Sequence, residues 1–136
     1  MIVLTTQPIE IAAVVAEVST ASAGAIDIFI GTVRKHNHQR KVLRLEYEAY
    51  APMALQQMEK IAQAAKQQWQ IEKLAMVHRT GTLLVGEVAV VIAVSTAHRQ
   101  DAFEACRYII DTLKKTVPIW KKEYYEDGAM WIDAHP

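Results

Sequence analysis

The chain has 136 residues, 51% hydrophobic and 22% charged, the balance of an ordinary globular domain rather than a disordered segment. Its 15 basic and 15 acidic residues cancel, so no overall field draws it to nucleic acid or to an anionic membrane. Cys106 is the only cysteine, which excludes an internal disulfide and fits a reducing, cytoplasmic setting; no apolar run approaches the ~20 residues that span a bilayer.

Ile2 to Thr5 is short and β-prone, and Pro8 suits the first turn of a helix that ends near Val18. No Lys or Arg precedes Arg34, and Glu10 and Glu17 fall inside this stretch, so it does not read as a signal peptide. Ser19–Gly24 is a loop, and Ala25–Thr32 reads as a largely buried strand. Residues 35–41 form an exposed, hairpin-like connection. Leu43, Leu45 and Tyr47 then alternate with Arg44, Glu46 and Glu48, a half-buried strand. Pro52 opens a long helix with Leu55, Met58, Ile61, Ala62, Ala65 and Trp69 on one face.

Ile71–Arg79 is a strand, Thr80-Gly81-Thr82 a turn, and Gly86–Ser95 a second, strongly apolar strand. Between Asp101 and Lys115, Phe103, Cys106, Ile109, Ile110 and Leu113 recur at helical spacing, and Pro118 ends the pattern. The tail is extended through Trp120–Tyr124 and, after an Asp127-Gly128 turn, through Met130–Ile132. These elements predict one α+β domain over residues 1–136, with about three helices against a mostly antiparallel sheet.

Positive charge is concentrated in two places: the 34–44 loop, and the region of Lys114, Lys115, Lys121 and Lys122. His98 and Arg99 sit where the apolar strand opens into a helix, a position from which polar groups can converge on an anion. If Trp120–Tyr124 is extended, Lys121 and Glu123 share one face and Lys122 the other. A blander reading stays open for each: terminal lysines complement a helix dipole in water, and His98 and Arg99 only flank a helix. Cys106 lies on the apolar stripe of its helix and reads as an inert core thiol. His36 and His38 lie in the loop and His78 and His98 in separate segments, with no cysteine pair, so neither a metal nor a cofactor is expected. A non-enzymatic anion- or RNA-binding module built on the 34–44 loop is the alternative.

Several segments, in order, resemble the large, catalytic subunit of molybdopterin synthase. They include Phe29-Ile30-Gly31-Thr32-Val33-Arg34, Leu45-Glu46-Tyr47-Glu48-Ala49-Tyr50, His78-Arg79-Thr80-Gly81, Ser95-Thr96-Ala97-His98-Arg99 and Pro118-Ile119-Trp120-Lys121-Lys122-Glu123. The loop after Asn37 lacks the glycine expected of the family, and few residues follow Trp131. The resemblance implies a sulfurtransferase of molybdenum-cofactor biosynthesis. It would be a homodimer that docks a small ubiquitin-like sulfur carrier on each copy, making a heterotetramer. The carrier's C-terminal Gly-Gly thiocarboxylate would supply sulfur to cyclic pyranopterin monophosphate, forming the molybdopterin dithiolene.

By the same resemblance, Thr32, Val33, Arg34, His98, Arg99, Lys114, Lys121, Lys122 and Glu123 would contact the reactants. Lys114, Lys121 and Glu123 would be catalytic. Arg34, His98 and Arg99 would read phosphate and pterin, Lys114 would sit nearest the carrier terminus, and Lys121 would transfer protons or stabilise an oxyanion. Glu123 would either hold Lys121 or act as base.

Overall fold

The computed structural model describes residues 1–37 and 40–132. His38 and the tip of the expected 35–41 connection lie outside the described residues. The elements in chain order are β1 (Ile2–Thr5), α1 (Ile11–Val18), β2 (Ala25–Thr32), β3 (His36–Asn37), β4 (Arg40–Ala49), α2 (Ala51–Gln68) and β5 (Ile71–Arg79). There follow β6 (Gly81–Leu84), β7 (Val88–Thr96), α3 (Arg99–Thr116), β8 (Ile119–Tyr125) and β9 (Gly128–Ile132). The class is α+β, as the residue pattern predicts.

One sheet has the order β1-β5-β7-β2, in which only the β1–β5 pair is parallel. Its middle strands are covered on both sides, which explains their near-continuous apolar sequences. Leu74, Met76, Val90, Ile92 and Val94 point to one face and pack with Met58, Ile61, Ile109 and Leu113 of α2 and α3. The alternate residues Ala75, Val77, Val91 and Ala93 meet Val14 and Val18 of α1 on the other face.

The second sheet has the order β3-β4-β8-β9, with β6 also pairing with β4. It encloses a smaller core of Val33, Val42, Leu45, Leu83, Ala89 and Tyr125.

The structure corrects several local expectations. Helix α1 begins at Ile11 with Glu10 as its extended cap residue, so Pro8 lies upstream of it. Strand β2 is an edge strand, not a largely buried one. Ile26 and Ile30 are exposed, and helix α1 packs chiefly on the middle strands β5 and β7. Residues 80–82 are not a simple turn: Gly81, at φ +90°, starts β6, which leaves β5 and crosses to the second sheet. Strand β7 begins at Val88, and Gly86, also at φ +90°, lies in the bend before it.

A register shift between Val42 and Arg44 turns Leu43 outward and puts Val42 into the core instead. Leu55 and Phe103 are also exposed; Ala54 and Ala102 take the buried positions on their helices.

Candidate active site

Strand β8 carries the chemistry. Pro118 cannot continue α3, and the chain turns directly from Val117 into Ile119 and runs beside β4. Leu45 pairs with Glu123 and Tyr47 with Lys121 in the antiparallel ladder. The predicted alternation holds: Lys121 Nζ stands 3.7 Å from Glu123 Oε1 on one face. Lys122 lies on the other, with its ammonium 5.3 Å from the ring centres of Tyr124 and Trp131.

The face with Lys121 and Glu123 borders a cavity of about 780 Å³. The last turn of α3 contributes Lys114 to it, the end of β2 contributes Thr32, and the segment just after β2 contributes Arg34. Arg34 lies two residues beyond β2, whose register with β7 shifts between Gly31 and Thr32. A Cβ on Gly31 would stand 2.6 Å from Val90 Cγ1, so glycine allows the close approach of the two strands at this point. A smaller cavity of about 50 Å³ adjoins it, sharing Tyr47, Lys114 and Lys121 and adding His78.

Three cations and one carboxylate thus face a shared space. Burial pushes the Lys121 ammonium below the ordinary lysine pKa; Glu123 opposes that shift, while Lys114 and Arg34 add to it. Glu123 is 2% exposed and fully engaged. The Asn37 amide donates to both of its oxygens, at 2.8 and 3.0 Å, and the Tyr125 hydroxyl donates to Oε2. Beneath Lys114 lies His78. Burial lowers its pKa to about 4, with Lys114 contributing. Its Nδ1–H donates to the Arg79 carbonyl at 2.8 Å, which leaves Nε2 as the acceptor nitrogen. Tyr47 meets the His78 ring edge-on at 5.2 Å, and burial raises its hydroxyl pKa to about 12, helped by the Glu123 charge.

The chain brings Thr32, Arg34, Lys114, Lys121 and Glu123 together and leaves the other candidates apart. Val33 is buried in the second core, its N–H donating to the Glu87 carbonyl at 3.0 Å. Lys122 faces away. His98 caps α3 and Arg99 is its first residue, both exposed. Since α3 rises 1.5 Å per residue, Arg99 lies about 22 Å along the helix from Lys114. Asn37, Tyr47, His78 and Tyr125 went unassigned to the site at the sequence level. Tyr125 could have been found, because it shares the alternation of Lys121 and Glu123. Asn37 could not, because only the β3–β4 pairing carries it over Glu123.

The remaining features are structural. Cys106 is buried, its thiol pKa raised to about 12 chiefly by burial. The cations of the 34–44 segment are partly engaged: Arg40 pairs with Asp127 at 2.7 Å, and Arg44 lies 4.0 Å above the Tyr124 ring. Among the described residues, no helix is long and apolar enough to cross a membrane.

Comparison with known proteins identifies the family and the fold. The sequence profile of the MoaE protein family matches residues 4–116. A molybdopterin synthase catalytic subunit of Bacillus subtilis is 47% identical over 129 residues, covering 95% of this chain and 82% of its own length. The crystal structure of molybdopterin synthase from Staphylococcus aureus superposes with a TM-score of 0.91 at 39% identity, over 95% of this chain and 94% of that one. A complex of subunits 1 and 2 of molybdopterin-converting factor from Helicobacter pylori contains a chain of the same fold. Its TM-score is 0.80 at 22% identity, over 96% of this chain and 88% of that one. This chain belongs to the MoaE family, the catalytic subunits of molybdopterin synthase, enzymes that transfer sulfur in molybdenum-cofactor biosynthesis.

Proposed function

We propose that the cavity between β2, the end of α3 and β8 holds two anions at once: cyclic pyranopterin monophosphate and the C-terminal thiocarboxylate of a small ubiquitin-like carrier. The observation that carries this reading is the convergence of Arg34, Lys114 and Lys121 on one cavity, with a single carboxylate among them. Two negatively charged reactants repel each other, and cations at the cavity wall offset that repulsion. Arg34 suits the phosphate, which a guanidinium can grip with two parallel hydrogen bonds. Lys114, at the open helix end, faces the carrier terminus. Lys121 delivers a proton, or stabilises the oxyanion, as the thiocarboxylate sulfur attacks the pterin. Burial lowers its pKa, which eases the release of a proton. Thr32 lines the same wall, and Lys122 stays outside it.

His98 and Arg99 require a second copy. They are too far along α3 to reach the Lys114 of their own chain, yet they belong with the phosphate and pterin by resemblance. A homodimer resolves the conflict if the α3 start of one copy closes the cavity of the other. Each copy would also bind one carrier, and the whole would be a cytoplasmic heterotetramer. Residues 1–136 serve in it as one domain.

The test is reconstitution. Purified chain, substrate and thiocarboxylate-terminated carrier should yield the dithiolene product. A carrier ending in an ordinary carboxylate should yield none. Product formed equally with both carriers would refute the sulfur source.

A further inference from the structure

We propose that Asn37 and Tyr125 are positioning residues for sulfur transfer: they fix the Glu123 carboxylate so that it holds Lys121 in place rather than acting as the base. The inference rests on the sulfurtransferase reading above and deepens it.

A carboxylate has about four lone-pair sites, and each donor it accepts takes up one of them. The Asn37 amide occupies both Glu123 oxygens, the Tyr125 hydroxyl occupies Oε2, and Lys121 stands at Oε1. Taking a proton would require one of these donors to leave a nearly solvent-free site. Tyr125 is itself held in place. The Arg40 guanidinium lies 3.7 Å above its ring and pairs with Asp127 at 2.7 Å. A line of contacts therefore runs from Asp127 at the surface, through Arg40, Tyr125 and Glu123, to Lys121 at the cavity. Asn37 enters from a different strand, so the β3–β4 hairpin and β8 must both be in place before Lys121 is aimed.

The groups facing Lys121 are Glu123 from its own strand, Lys114 from α3, Arg34 after β2, Tyr47 from β4 and His78 from β5. Of these only Glu123 raises the Lys121 pKa. Loosening Glu123 should therefore let Lys121 lose its proton at still lower pH.

The experiment compares wild type with Asn37→Ala and Tyr125→Phe, the second of which keeps the ring under Arg40. Lysine-labelled NMR follows Lys121 through a pH titration in the chain alone, and turnover is measured in the reconstituted complex. Both variants should move the Lys121 titration and the alkaline limb of the rate profile to lower pH. Each should lower kcat by about tenfold, the rate equivalent of one hydrogen bond to a charged group, with KM changed by less than about twofold. An unchanged Lys121 titration in both folded variants would overturn the inference, even if kcat falls. Should wild type itself fail to make the dithiolene, the sulfurtransferase reading fails, and the titration still decides the Glu123 arrangement.

Discussion

Lys121 and Glu123 lie two residues apart on β8, their charged atoms 3.7 Å apart on the face opposite Lys122. The carboxylate is buried and held from two other directions, so the ammonium has a fixed anchor at the edge of an open cavity. Burial and the neighbouring Lys114 and Arg34 ease its deprotonation, while Glu123 keeps the shift in check. A lysine placed this way can give up and recover a proton without leaving its position.

Charge and proton transfer can be separated at this residue. Lys121→Arg keeps a permanent cation but removes a proton that can leave, because guanidinium does not titrate in proteins. Steady-state turnover of both Lys121→Arg and Lys121→Ala should fall by about 10²–10⁴-fold, the range of a lost general acid. Near-normal turnover by Lys121→Arg would leave Lys121 an electrostatic role only.

The alternation along β8 was readable from sequence because a strand offers only two faces. The depth of the core was readable for β7, whose apolar run admits no solvent-facing side. Two kinds of information were missing. Leu43, Leu55 and Phe103 are apolar residues in periodic patterns, yet bulge geometry and neighbouring alanines decide which positions are covered. Sequence proximity also grouped Arg99 with Lys114, whereas the helix joining them is what holds them apart. Periodicity says which face a residue is on, but not how far along the element its partners lie.

If the second copy completes the site, two damaged chains should repair each other. Arg99→Ala and Lys121→Ala each lack one contribution, and a mixed dimer carries one intact site. After reassortment of equal amounts, activity should recover to roughly a quarter of wild type. No recovery, with mixed dimers verified by mass spectrometry, would place the whole site within one chain.

His78 should make the fold acid-sensitive. Its pKa falls from 6.5 to about 4 on folding, so between those values the unfolded chain binds a proton that the folded chain does not. Stability is then full above about pH 6.5 and lost as pH drops towards 4, by up to about 3 kcal/mol. Urea unfolding at pH 7 and pH 4.5 should show a smaller loss for His78→Gln than for wild type. Equal losses would mean that His78 is not buried neutral.

Cys106 should be dispensable for chemistry. Its thiol is buried on the inner face of α3, donating weakly to the Ile92 carbonyl at 3.8 Å, and burial holds it protonated. With a thiocarboxylated carrier, Cys106→Ser should keep wild-type turnover while losing about 1 kcal/mol of stability. A folded but inactive variant would make the thiol a participant in sulfur delivery.

The most direct test of the shared anion cavity removes its two lysines together. In a single-turnover assay with thiocarboxylated carrier and cyclic pyranopterin monophosphate, the Lys114→Ala/Lys121→Ala chain should fold, dimerise and bind the carrier, yet form no dithiolene. Product formed at the wild-type rate by that double variant would contradict the account.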